Sequence, residues 1–139
     1  MIKGGGGALL REKIVLSSAH RRVIIVDSSK LVAGLGAFAL PIEVTPFGHL
    51  RTARLLAATG AEAKLRMAKD GAPFVSDGGN YIVDCAYGVI GDAAVLEAEL
   101  NRIPGVVETG LFLNLVDELI VGENGRARVI KPAAGAKRA

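Results

Sequence analysis

Arg22-Val-Ile-Ile-Val-Asp27 restricts the fold of this chain more than any other segment. Four consecutive β-branched apolar residues between two charges are too few for a helix. They are also too uniformly apolar for a strand with one wet face. They read as a strand buried on both faces of a parallel sheet, which needs neighbours reached through crossover connections. The run ends in Asp27-Ser-Ser-Lys30, a polar loop at a strand's carboxyl edge, where open α/β sheets bind their ligands. Ahead of it, Gly4 to Gly7 lead into Ala8 to His20, a stretch dominated by good helix formers. A glycine loop, a helix and a strand in this order fit one part of a doubly wound, Rossmann-like layer that begins upstream of Met1.

From Pro41 the pattern changes. Ile42 to Phe47 reads as a strand, and His49 to Thr59 as a helix with Leu50, Ala53, Leu56 and Ala57 on one stripe and Gly60 as its stop. Ala63 to Met67 and Asn80 to Tyr87 read as two more strands, separated by the turn signals Asp70-Gly71 and Asp77-Gly-Gly-Asn80. A second helix starts after the N-cap Asp92 and presents Val95, Leu96, Leu100 and Ile103 inward until Pro104-Gly105 stops it. Val106 to Leu113 is the next strand. The order β-α-β-β-α-β is that of the split-βαβ, ferredoxin-like plait, with two helices on one side of an antiparallel sheet. Beyond it, Glu123-Asn-Gly-Arg126 is a hairpin turn between Glu118-Leu-Ile-Val-Gly122 and Ala127-Arg-Val-Ile130. The expected class is therefore α/β. A partial Rossmann-like domain comprises residues 1–36 and 114–131, a ferredoxin-like α+β domain residues 37–113, and a disordered tail residues 132–139.

Composition narrows the function. Half of the residues are hydrophobic but only 4% are aromatic and none is Trp, so the core is built of Ala, Val, Leu and Ile. The net charge of +3 arises in the last fourteen residues, which hold five Lys and Arg and no acid; the rest carries twelve positive against fourteen negative groups. Without a basic folded face or aromatic platforms, nucleic acid is not an expected partner. No apolar run approaches the roughly 20 residues of a membrane span, and Met1-Ile-Lys-Gly-Gly-Gly-Gly7 lacks the apolar stretch of a signal peptide. The single Cys85, with His20 and His49 isolated from it, offers no metal spacing and suits a reducing cytoplasm.

Candidate chemistry concentrates at the amino end. Taken alone, Gly4 to Gly7 could be merely a flexible start, Glu12 a solvated acid between Arg11 and Lys13, and Lys3 and Lys30 surface lysines. The glycines match neither the Walker A spacing nor the dinucleotide fingerprint. In front of a helix, however, glycine amides can approach a ligand oxygen closely, and the positive helix end adds to the attraction.

The residues gain meaning together. Lys3-Gly-Gly-Gly-Gly-Ala-Leu-Leu-Arg-Glu-Lys13 resembles the Lys-Gly-Gly-Gly-Ala-Ala-Leu-Thr-Arg-Glu-Lys motif of type A ribose-5-phosphate isomerases. The resemblance continues, in order, through Asp27-Ser-Ser-Lys30, Leu40-Pro-Ile-Glu-Val-Thr-Pro46, Ser76-Asp-Gly-Gly-Asn80 with Ile82-Val-Asp84, and Ile103-Pro-Gly-Val-Val-Glu-Thr-Gly-Leu-Phe112. Leu10 stands where the family has Thr. The family's amino-terminal half, with its Ser/Thr-rich phosphate loop and an Asp-Gly-Ala-Asp-type segment, has no match.

The resemblance implies interconversion of D-ribose 5-phosphate and D-ribulose 5-phosphate through an enediolate, with no metal and no organic cofactor. It implies Glu12 as the base that moves the proton, Lys3 and Gly4, Gly5 and Gly6 as substrate-binding groups, and Lys30 at the substrate phosphate. It also implies self-association into a homodimer or homotetramer, for which the family uses the plait. His20, His49, Cys85, Asp27 and Asp84 are left with packing or capping roles. The alternative is a non-catalytic ferredoxin-like oligomerisation or binding module, which has no need of the intact Lys3, Glu12 and Lys30 set.

Overall fold

The computed structural model describes residues 1–131, so the tail expected over 132–139 lies outside the described residues. In chain order the elements are α1 (Leu9–Ser18), β1 (Val23–Asp27), a 3-10 turn (Ser28–Lys30), β2 (Leu40–Val44), α2 (His49–Ala58) and β3 (Glu62–Leu65). They continue with β4 (Tyr81–Ala86), α3 (Ala93–Leu100), β5 (Val106–Thr109), β6 (Glu118–Glu123) and β7 (Arg126–Ile130).

The strands form two sheets, as expected of the mixed α/β class: a three-stranded one ordered β1-β6-β7 and a four-stranded one ordered β3-β4-β2-β5. The second is antiparallel throughout, with its first and third strands in the centre, which is the ferredoxin-like arrangement.

Alternation of side chains gives the four-stranded sheet two different faces. Leu40, Ile42, Val44, Val83 and Cys85 point to one face and form the main core with Leu56 and Leu100 from α2 and α3. Residues one step out of phase carry the opposite face: Ile82 packs with Leu9 of α1 and Phe112 in a second cluster, and Glu43 is buried there while accepting hydrogen bonds from Ser76 and Asn80. Both faces are thus covered, and β2 is buried along its whole length.

Several sequence expectations are corrected. β1 is parallel to β6, as its composition requires, but it is not buried on both faces: Val23 and Ile25 are exposed, Ile25 by 74%. A run of β-branched residues reports the strand, not what covers it. The strand expected to reach Phe47 stops at Val44, because Pro46 has no N–H to donate and Gly48 takes a positive φ of 73°; Phe47 is left 95% exposed. Leu50 and Ala57 face outward, and Thr52, Ala53 and Leu56 form the inner stripe of α2 instead. On α3 the inward residues are Ala93, Leu96 and Leu100, followed by Ile103, while Val95, one position off this stripe, is exposed. The strand expected over 106–113 divides: β5 ends at Thr109, Gly110 still donates to Pro41 of β2, and residues 110–112 pair with residues 1–3.

The hairpin is as expected. Asn124 and Gly125 both adopt positive φ, 49° and 72°, the combination that a type I′ turn demands. The start of the smaller sheet is clamped by Arg22 and Asp117, whose side chains meet in a two-pronged ion pair at 3.0 Å for each prong.

Candidate active site

Lys3 stands at the end of a short extended segment. Its N–H donates to the Gly110 carbonyl at 2.9 Å, and Ile2 bridges to Leu111. The chain then turns sharply through Gly4 to Gly7, closed by a Gly7 N–H to Gly4 C=O hydrogen bond of 2.9 Å, and enters α1. The glycines serve different needs. Gly4 and Gly7 have φ of 99° and 86°, and a Cβ would stand 2.8 Å from Leu9 and 2.4 Å from the Phe74 ring respectively. These two are required by the turn. Gly5 and Gly6 are exposed with no positive φ, and a Cβ added at Gly6 would meet no atom within 4 Å. Their lack of side chains leaves backbone open on the outer surface of the loop.

Arg11, Glu12 and Lys13 project about 100° apart around α1 and meet three different partners. Arg11 reaches Asp77 at 3.1 Å. Lys13, largely buried, bonds to the Glu108 carboxylate and, at 2.9 Å, to the Thr109 carbonyl, with its ammonium 5.0 Å from the Phe112 ring centroid. These two contacts seat the helix on the plait. Glu12, between them, points back to Lys3, with Oε1 3.1 Å from Nζ. The two side chains remain 36% and 28% exposed, so the pair adds at most about 1 kcal/mol to stability. Glu12 is therefore a partly exposed acid whose partner is Lys3 and not a neighbour on its own helix.

Lys3 and Glu12 line a cleft of about 360 Å³ with Arg11, Val15, Leu16 and Ile24. Lys3 also lines a neighbouring cleft of about 450 Å³, whose other walls include Ile24, Ser29, Lys30 and Phe38. Lys30 is carried there by the 3-10 turn after β1. Asp27 caps that turn by accepting from the amide and hydroxyl of Ser29, and the same hydrogen bonds hold its carboxyl below the usual carboxylate range. The fold thus brings Lys3 and Glu12 into contact beside the glycine turn that follows Lys3 in the chain, and places Lys30 on the wall of a cleft that Lys3 also lines; none of the four glycines lines either cleft. Gly4 is buried inside the turn, and only Gly5 and Gly6 present open backbone.

Two side chains at this loop escape a reading of the sequence. Arg66, just past β3, donates to the carbonyls of Gly4 and Gly5 and grips Asp84 of β4. Asp84 lies inside the Ile82-Val-Asp84 motif, yet its partner is eighteen residues away, and nothing local announces the pairing. Cys85 and His49 stay outside the site: burial pushes the Cys85 thiol up to about 12, and His49 bonds to the Pro46 carbonyl and stacks edge-on against Tyr81.

The family described as ribose 5-phosphate isomerase A (phosphoriboisomerase A) matches residues 1–126. Ribose-5-phosphate isomerase A of Gloeobacter violaceus is 53% identical over 135 residues, covering 96% of this chain and 58% of that protein. Its namesake from Parvibaculum lavamentivorans is 50% identical, with 94% and 59% covered. The chain therefore spans a little under three fifths of the length of these relatives. Among solved structures, ribose 5-phosphate isomerase A from Methanocaldococcus jannaschii superposes with a TM-score of 0.89 at 42% identity, over 95% of this chain and 59% of that one. A D-ribose-5-phosphate isomerase in complex with phospho-erythronic acid gives 0.90 at 37% identity, with 95% and 58% covered. On sequence and fold together, the chain belongs to the ribose 5-phosphate isomerase A family.

Proposed function

We propose that this chain supplies the proton-transfer half of a ribose-5-phosphate isomerase site. The observation that carries the reading is the Lys3–Glu12 pair at 3.1 Å on the wall of an open cleft, with the glycine turn following Lys3 in the chain. In the aldose-to-ketose direction Glu12 removes the proton on C2, the C2–H electrons form the C1=C2 bond of an enediolate, and negative charge develops on the former aldehyde oxygen. Glu12 then returns the proton to C1, while the proton of the C2 hydroxyl passes to the C1 oxygen. The Lys3 ammonium and the Gly5 and Gly6 amides stabilise the developing oxyanion. Lys30 holds the phosphate dianion as a point charge, and Gly4 contributes through the turn that presents its neighbours. The phospho-erythronate-bound neighbour supports a sugar phosphate as ligand. The resemblance of Lys3 to Lys13 to the family motif supports the residue roles.

The reaction is tested by assaying ribose 5-phosphate to ribulose 5-phosphate conversion on the 139-residue chain, with and without a separately supplied amino-terminal half from one of the relatives. The chain alone is expected to turn over slowly, because one base does not replace the contacts that position the sugar, and the supplied half is expected to raise the rate. A flat result in both arms sinks the proposal. Gly6→Ala separates binding from folding: the open space at this position predicts a stability change within about 0.5 kcal/mol, together with weaker sugar-phosphate binding by calorimetry. Unchanged affinity would remove Gly6 from the site.

The proposal extends to self-association as a homodimer or homotetramer in the cytoplasm. The exposed Phe47 and Leu50 at the β2–α2 corner support an interface on the plait. Light scattering should give at least twice the mass of one chain. Among the described residues no helix is long and apolar enough to cross a membrane.

A further inference from the structure

Glycine peptides rotate easily, so amides offered by Gly5 and Gly6 need something to aim them. Arg66 is placed to do this. Its Nη1 donates to the Gly4 carbonyl at 3.1 Å and to the Gly5 carbonyl at 3.0 Å. A trans peptide sets its C=O and N–H on opposite sides of the C–N bond, and the described residues contain no cis peptide. Anchoring these two carbonyls therefore turns the N–H groups of Gly5 and Gly6, which belong to the same two peptide units, away from Arg66.

Arg66 is itself fixed. Its Nε donates to Asp84 Oδ2 at 2.8 Å, its Nη2 pairs with Oδ1, and the guanidinium lies 5.8 Å from the centroid of the Phe74 ring, the ring that abuts Gly7. Arg66 and Asp84 stand on the same face of the sheet, on adjacent strands and diagonal to one another, a separation that a long side chain spans. The side chain of Arg66 is only 14% exposed. A fork of this kind, with Nε and Nη2 on a carboxylate and Nη1 on two successive carbonyls, is not available to lysine.

We infer that Arg66, held by Asp84, is a positioning residue that aims the Gly5 and Gly6 amides at the anionic oxygen of the bound sugar phosphate. This role rests on the isomerase reading of the site. It does not follow from the Lys3–Glu12 geometry, and it gives the Arg66–Asp84 pair a task beyond holding β3 to β4.

The test compares the parent chain with Arg66→Lys and Asp84→Asn, each supplied with the same amino-terminal half. Two probes are used: phospho-erythronate, which carries an anionic carboxylate besides its phosphate, and erythritol 4-phosphate, which has the phosphate and hydroxyls without it. Arg66→Lys is expected to weaken phospho-erythronate binding and to lower kcat by about 10- to 100-fold, a part of the ~10²–10³ that loss of a whole oxyanion donor costs. Affinity for erythritol 4-phosphate and KM should stay within about threefold, since the lost interaction is made mainly to developing charge. Asp84→Asn should move the same quantities in the same direction by less. On the isolated chain, the amide order parameters of Gly5 and Gly6 should fall from about 0.85 to below about 0.6 in Arg66→Lys, with those of β2 and β4 unchanged. A folded Arg66→Lys variant that binds both probes like the parent, or keeps both glycine amides ordered, overturns the inference. If the parent itself neither binds nor isomerises, it is the isomerase reading that fails, and the amide measurement still decides whether Arg66 orients the loop.

Discussion

Glu12→Gln should lower isomerase turnover by about 10²–10⁴-fold, the contribution of a well-placed general base, while sugar-phosphate affinity stays within a few-fold. The amide has nearly the shape of the carboxylate and can still meet Lys3, but it cannot accept a proton from carbon. The partly exposed ion pair that is lost contributes at most about 1 kcal/mol, so the unfolding transition should hardly move. The measurement is steady-state turnover in the complemented form, beside a thermal melt. Near-normal turnover would remove Glu12 from the role of base, whatever the fate of the wider isomerase reading. Equal losses of turnover and of folding would point to a structural role.

Gly110→Ala is expected to produce the largest loss of stability, about 3 kcal/mol or more, at the upper end of what overpacking costs. Gly110 is buried where two backbone segments press from both sides: its N–H donates to the Pro41 carbonyl at 2.7 Å and its own carbonyl accepts from the Lys3 N–H at 2.9 Å. A Cβ there would stand 2.5 Å from the Lys3 carbonyl oxygen and 2.8 Å from Pro41 Cδ. Neither neighbour can rotate aside, because both are held in the backbone ladder. Relief must come from separating residues 1–3 from β2, which displaces Lys3 from Glu12 as well. Chemical denaturation should show the midpoint falling steeply, in contrast with Gly6→Ala. A shift under about 1 kcal/mol would contradict the packing described.

Much of the architecture is legible in the sequence because it rests on local rules. Asp92 caps α3 by accepting from the amides of Ala94 and Val95, and Asn124-Gly125 makes its hairpin. The six elements of the plait fall in the order that the alternation of periods dictates. What fails is knowledge of the cover over each face. Val95 and Leu96 are equally apolar, and only the packing of α3 on the sheet separates them. Val23 and Ile25 have the composition of buried strand residues, and nothing within the run reveals that their face is open. The site divides along the same line. Lys3, the glycines and Glu12 are close in sequence and readable as a motif, whereas the grip of Arg66 on the glycine turn joins residues more than sixty positions apart and becomes visible only in three dimensions.

The parallel pairing of β1 with β6 has a consequence for the order of assembly. Arg22 and Asp117, the clamp at the head of that pair, are 95 positions apart. Contacts between such distant segments form slowly, because the chain entropy of closing the loop is lost before any contact is gained. The plait shortens the search. Once folded, it holds Pro41 and Gly110 within one hydrogen bond of each other, so that only the segments 28–39 and 113–117 remain to be closed. In refolding, protection of the Cys85 thiol in the plait core should therefore precede protection of the β1 amides, and the reverse order would refute this sequence of events. Lys3 and Glu12 come together with the plait, whereas Lys30 arrives with β1, and the cleft acquires its second wall only in the last step of folding.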